Sequence, residues 1–299
     1  MITASIVTYN TRKEDLEKVL HSALAEHIAF LYVIDHSPNE GIADILPADP
    51  RIIYEKRPNK GYGAGHNAAI RKAMEAGARY HAVLNPDIYW EGGVVGELAR
   101  FMDNHTNVGQ MLPKVLYPDG RLQYTCKLIP TPFDLLASRF VPSFLKKRRM
   151  SRFRLEKTRY ERIMDVPYMH GCFMMLRIDA LKDVGLFDER FFMYPEDIDL
   201  TRRIHERWKT LFYPNVSIFH AHAAESRTSM KMLWIHMANM VKYFNKWGWF
   251  LDSKRRHYNR RLLREISSDC FGRLPSGTHG KDNGGGTGDH IATGEDSGA

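Results

Sequence analysis

Four short apolar runs rich in β-branched residues constrain the fold of this chain more than any other feature: ASIVTYN, FLYVIDHS, RIIYEKR and YHAVLNPDI. Each has the length of a buried strand. Between them lie KEDLEKVLHSALAE, whose Leu16, Val19, Leu20 and Leu24 recur at helical spacing, and GYGAGHNAAIRKAMEAGA, a glycine-rich turn running into a second helix. GGVVGELARFMDNH supplies a third. This βαββαβα order predicts an α/β domain with a largely parallel sheet. Ligands of such sheets bind beyond the carboxyl ends of the strands. The polar residues there are Thr8, Tyr9 and Asn10, then Asp35, then Asn85 and Asp87.

From Gly109 to about Asp165 the pattern weakens. LPKVLYPDGRLQYT reads as a hairpin around PDG, and the basic, aromatic stretch after it as a variable loop with short helices. Order resumes in YMHGCFMMLRIDALKDVGLFDERFF as a strand and a helix. Then come an acidic helix start and a strand, TLFYPNVSIFHAH. Residues 230–266 have helical spacing with many aromatics and bases. The glycine- and aspartate-rich tail lacks the apolar surface to fold and is expected to be disordered. The expected organisation is a catalytic domain over 1–228, amphipathic basic helices over 229–267 and a tail over 268–299.

Of 299 residues, 43% are hydrophobic and 26% charged, ordinary values that allow a sizeable core. The net charge of +8 points to an anionic partner. No recognised nucleic-acid motif accompanies the charge, so no nucleic-acid partner is expected. Cys126, Cys172 and Cys270 are scattered, with no disulfide framework or CxxC pattern, which fits a reducing, cytoplasmic setting. No signal-peptide pattern opens the chain and no apolar run reaches the roughly 20 residues of a spanning helix. A soluble or peripheral membrane protein is expected.

The chemistry-bearing residues are individually ambiguous. Asp87 in LNPDI could hold Mg2+ or Mn2+ through oxygen, or sit in a simple turn. NKGYGAGHNAAI could cradle a phosphate, but it matches neither the dinucleotide fingerprint nor a P-loop. Asp35 could bind a sugar or base edge, or cap a turn. His220 and His222, two apart in a strand, share a face and could ligate a metal. Glu196, Asp197 and Asp199 suit a helix N-terminus, yet the aromatic setting could raise the pKa of Asp197 and make it a general base.

Taken together, SIVTYN, VIDHS, NKGYGAGHNAAI, LNPDI, HGCFMMLRIDALKDVGLFDERFFMYPEDIDLTRR and IFHAH resemble the family 2 glycosyltransferases of GT-A fold, in particular the bacterial rhamnosyltransferase-like group. The resemblance implies that Thr8 and Tyr9, with Asn10, flank a nucleotide base and that Asp35 hydrogen-bonds it. It implies that Asn59, Gly61, Gly63 and Asn67 line the nucleotide site. Asp87 matches the metal-binding acid, with Asn85 standing where the motif often has a first acid. His220 or His222, the former favoured, matches a histidine for the pyrophosphate-bound metal. Asp197 matches the catalytic base, and Glu196 the acceptor-positioning acid.

The expected activity is inverting, Mn2+- or Mg2+-dependent transfer from a dTDP- or UDP-sugar to a glycan or polyprenyl-diphosphate-linked acceptor in surface polysaccharide synthesis. One base and one cation suffice for it. The basic stretches Lys146–Arg162 and Lys254–Glu265, with Trp247, Trp249 and Phe250, suit an anionic membrane surface, hence a peripheral place on the cytoplasmic face of the inner membrane. The rivals are a non-catalytic nucleotide-sugar-binding protein and a sugar-1-phosphate nucleotidyltransferase. The latter would want a glycine-rich basic loop after the first strand, where TYNTRKEDL stands.

Overall fold

The computed structural model describes residues 1–38, 42–135, 143–221 and 230–268. His222 and Cys270, and most of the predicted tail, lie outside them. The first half runs β1 (Ile2–Thr8), α1 (Lys13–Leu24), β2 (Phe30–Asp35), β3 (Ile52–Lys56), α2 (Tyr62–Glu75), β4 (Tyr80–Leu84), β5 (Ile88–Tyr89), α3 (Val94–Asn104) and β6 (Val108–Leu116). The second runs β7 (Cys126–Lys127), α4 (Pro132–Leu135), α5 (Ser143–Phe153), β8 (Met164–Asp165), β9 (Tyr168–Met169), β10 (Phe173–Arg177), α6 (Ile178–Val184), α7 (Glu196–His205), β11 (Lys209–His220), α8 (Met230–Trp247) and α9 (Ser253–Ser267).

Among the described residues the main sheet has nine strands, ordered β3-β2-β1-β4-β10-β6-β11-β5, with β8 on β11. The first four strands are parallel, as the βαββαβα order requires, and β10 enters antiparallel between β4 and β6. Apolar layers cover both faces: Ile6 and Leu84 pack with α1 and α3, Val7 and Val83 with α2 and α6. The polar Thr3 and Ser5 of β1 are buried without loss because His81 bonds both hydroxyls at 2.8 Å and His66 bonds Ser5 at 2.7 Å. Burial pushes His81 down to about 3, so the network is neutral.

The expected break from Gly109 is only partly right. Val108–Leu116 is a nine-residue strand near the middle of the sheet. Gln110, Pro113 and Lys114 interrupt its apolar run and hide it from pattern reading. Gln110 is nonetheless fully buried and donates to the Thr201 hydroxyl at 3.1 Å.

The C-terminal helices share the main core through Met240, Tyr243, Phe244 and Leu262. Two residues of α7 fasten them. Arg202, fully buried, pairs with Asp252 at 2.7 and 2.8 Å and lies 3.9 Å over the Trp247 ring. Asp199 accepts from Arg203 and from the Trp247 indole, each at 2.8 Å, and pairs with Lys246 at 2.6 Å. Asp199 therefore joins α7 to α8, beyond any support it lends to the helix start.

Candidate active site

The site lies across the carboxyl ends of β1, β2 and β4, closed on the far side by the start of α7. At its outer end is a cleft of about 450 Å3 lined by Tyr9, His36, Ser37, Lys56, Asn59 and Phe192, among others. Tyr9 is 55% exposed and offers a ring face to an occupant. Asn10 takes a left-handed conformation, φ 51°, and its amide donates to the Ser37 hydroxyl at 3.0 Å. Thr8 and Asp35 are register partners beneath this cleft and are fully buried. The Asp35 carboxylate accepts from the Thr8 hydroxyl (3.1 Å), the Ser37 amide (2.8 Å) and the Tyr54 hydroxyl (3.1 Å). Burial pushes its pKa up, but the bonds from Ser37, Tyr54 and Thr8 outweigh that and hold it below the usual carboxylate range. Asp35 thus faces inward here, and Tyr9, His36 and Ser37 form the wall.

The glycine-rich turn packs against protein. A side chain at Gly61, φ 103°, would collide with the carbonyl oxygen of Phe192, and one at Gly63 would come within 2.8 Å of the Phe187 Cβ. The Gly61 and Tyr62 amides are taken by Asn59 and Phe192. Asn67 is buried, donating to the Phe187 carbonyl and to Glu189 and accepting the Phe187 amide. Of the predicted nucleotide residues in this segment, Asn59 lines the cleft, while Gly61, Gly63 and Asn67 hold the 187–192 turn against α2.

At the end of β4, Asn85 accepts the Tyr62 hydroxyl at 3.0 Å, and the same hydroxyl reaches the Gly171 carbonyl at 2.8 Å. Asp87 Oδ2 lies 3.3 Å from His220 Nε2. Gln123 holds the histidine from behind, accepting from Nδ1 at 3.0 Å and donating to the His220 carbonyl at 2.7 Å. That bond places the Nδ1 proton and turns Nε2 toward Asp87. Burial opposes charge on the ring, yet Cys172 and Asp87 push its pKa up to about 10. A carboxylate and an imidazole converge here at strand ends, a donor pair that a divalent cation would share on displacing the Nε2 proton.

On the opposite wall, Glu196 and Asp197 open α7. Asp197 Oδ2 accepts the Gly171 amide at 2.9 Å and Oδ1 its neighbour's amide, from Ile198, at 2.7 Å. Gly171 has to be glycine, since a Cβ there would lie 2.9 Å from the Asp197 Cβ. Burial raises Asp197 to about 6, against the two amides and the charge of Lys127. Burial and the charge of Asp197 push Glu196 well above its ordinary value, and its Oε2 has no hydrogen-bond partner among the described residues. Both carboxyls are thus driven toward the protonated form, by burial and, at Glu196, by its neighbour's charge. Tyr194, two residues earlier, holds a left-handed φ of 93°, a strained turn for a bulky side chain beside this pair.

A family model, glycosyl transferase family 2, matches residues 3–185. The chain belongs to glycosyl transferase family 2. Among curated relatives, it is 29% identical over 181 residues to N-acetylglucosaminyl-diphospho-decaprenol L-rhamnosyltransferase of Mycobacterium tuberculosis, covering 56% of this chain and 57% of that protein. It is 26% identical over 227 residues to rhamnosyltransferase WbbL of Escherichia coli, 73% of this chain and 77% of that protein. The match thus spans little more than half the length of the mycobacterial relative. Among solved structures, a mannosyltransferase from Pyrobaculum calidifontis in complex with GDP-Man and Mn2+ superposes with a TM-score of 0.52 at 15% identity, over 89% of this chain and 72% of that one. S. aureus TarS superposes with a TM-score of 0.51 at 16% identity, over 89% and 42%. The fold is the GT-A fold of this family.

Within the family 2 site, sequence reading missed Lys127, Gln123, His170 and Cys172. The first two precede a two-residue strand, or lie in one, that pairs only with β9. The other two flank Gly171, whose contact with Asp197 no periodicity reveals.

Proposed function

We propose that this chain is an inverting glycosyltransferase that moves a sugar from a dTDP- or UDP-sugar to a lipid-linked glycan, on the polyprenyl-diphosphate type of acceptor, in bacterial surface polysaccharide synthesis. One observation carries the reading. Residues 170–172 bridge the two acidic centres: the Gly171 amide holds Asp197, while Cys172 touches the surroundings of His220 and Asp87. The 170–172 segment thus ties the base to an anion-stabilising centre.

Asp197 takes the proton of the acceptor hydroxyl. The hydroxyl oxygen attacks the anomeric carbon from the face opposite the leaving group, and the bond to the diphosphate breaks with its electron pair leaving on the phosphate oxygen. Asp197 suits this because burial raises its basicity while two amides keep it aimed. Glu196, next to the base, positions the acceptor. A divalent cation, Mn2+ or Mg2+ in the simplest case, would be held at Asp87 and His220 and offset charge on the diphosphate when bound. Tyr9 and Asn59 would contact the nucleotide from the cleft.

The mycobacterial relative is named for a diphospho-decaprenol acceptor. A lipid-linked acceptor also suits the surface of α8 and α9. Met230, Trp234 and Met237 are exposed, as are Phe250 and Leu251 at the turn between the helices. Arg256, Arg260 and Arg264 stand exposed along α9 beside a groove of about 840 Å3. Trp247 is half-buried, with its ring packed on Arg202. No helix among the described residues is long and apolar enough to cross a membrane. Peripheral binding at an anionic cytoplasmic leaflet is the arrangement that fits.

The test is nucleoside-diphosphate release from a panel of UDP-, dTDP- and GDP-sugars with lipid-diphosphate acceptor, in Mn2+, Mg2+ or EDTA. Release from one donor, metal-dependent and lost in Asp87→Ala, is expected. Saturable nucleotide binding without release for any donor and acceptor would show a binding protein instead.

A further inference from the structure

Resting on the reading of Asp87 and His220 as the cation position, we propose that Cys172 and His170 complete it, giving a two-histidine, one-thiolate, one-carboxylate set that takes a thiophilic ion such as Zn2+ or Co2+ ahead of Mg2+. One donor atom each from His170, Cys172 and His220 lies within 4.8 Å of the others. Asp87 stands 3.3 Å from His220 Nε2. These residues come from three strand ends brought together by the sheet: β4 leads to Asp87, β10 begins just after Cys172, and β11 ends at His220.

Nitrogen and sulfur donors bind Zn2+ at about 2.0–2.3 Å, which puts neighbouring donors roughly 3.3–3.7 Å apart. The cluster thus needs a contraction of at most about 1.5 Å. His170, whose Nδ1 faces the Cys172 amide at 3.3 Å, is the least enclosed of the three. Cys172 and His220 are buried, so the thiol is shielded from solvent while its sulfur faces the imidazole. Oxygen-only sites suit Mg2+ and recruit it with phosphate, whereas a thiolate and imidazoles retain a softer ion without help. The consequence is a metal held before the donor arrives.

The experiment strips the full chain with chelator, removes the chelator and titrates Co2+ without nucleotide, reading the absorption spectrum. Expected is one-to-one binding with a sulfur-to-cobalt charge-transfer band. The band vanishes in Cys172→Ser, persists in Cys270→Ser, and gives way to Zn2+ but not to a large excess of Mg2+. His170→Ala weakens Zn2+ binding on the order of tenfold or more. A folded wild type that binds Co2+ only with a nucleoside diphosphate, without a thiolate band, overturns this proposal and leaves Asp87 and His220 as the cation position. Binding to neither form, with or without nucleotide, overturns both.

Discussion

Asp35 and Asp197 are both buried carboxylates at the ends of regular elements, and their surroundings drive them in opposite directions. Asp35 accepts from two hydroxyls and an amide and is held below the usual carboxylate range. Asp197 accepts two amides, has an acidic neighbour in Glu196, and is raised to about 6. Burial alone therefore does not assign a role. The number and kind of donors decide whether a carboxylate is a permanently charged strut or a base that can exchange a proton near neutral pH.

The largest effect that would sharpen this contrast comes from Asp197→Asn. Sugar transfer should fall by about a hundred- to ten-thousand-fold, with the dissociation constant for the nucleoside diphosphate nearly unchanged by calorimetry. A smaller loss comes from Gly171→Ala, which displaces the base without altering its chemistry. Transfer should drop on the order of tenfold to a hundredfold in kcat, while the donor KM moves little. The pH profile follows from the raised value at Asp197. A base must be deprotonated, so kcat should climb with pH, about tenfold per unit below 6, and level off above it; a profile flat from pH 4 to 8 would remove Asp197 from the role. The smallest effect belongs to the strut. Tyr54→Phe deletes one of the bonds holding Asp35 and should cost ~1 kcal/mol of stability by denaturant unfolding. Because the folded pKa of Asp35 is lowered, its contribution is present above the ordinary carboxylate value and is lost as pH falls from there through the lower folded value. The Tyr54→Phe deficit should therefore shrink in acid.

The first half of the fold was legible because β1, β2 and β4 are short buried runs and β3 is a half-buried edge strand, with a helix or turn between them. Their polar ends, Thr8, Asp35 and Asp87, lie where such sheets bind ligands. The acidic start of α7 was legible through its residue types, and its opening position was right. What escaped reading has physical causes. β6 is a buried strand with Gln110 and Lys114 in it, made tolerable by a single partner, Thr201, for the amide. Lys127, Gln123 and His170 reach the site from segments with no period, through pairing of β7 with β9. The glycines of the α2 turn suit a phosphate cradle or a tight strand–helix connection, because glycine marks close approach in either case. Here Gly61 and Gly63 closely approach Phe192 and Phe187. Trp247, read as an interfacial aromatic, is half-buried and is also held by Arg202 and Asp199.

Asp197 and Asp35 should titrate far apart, and carboxyl 13C NMR of aspartate-labelled protein measures that directly, with each signal assigned by its loss in Asp197→Asn and Asp35→Asn. The expected result is a midpoint near 6 for Asp197 and one below the ordinary carboxylate range for Asp35. Both carboxyls titrating together in the ordinary range would contradict it.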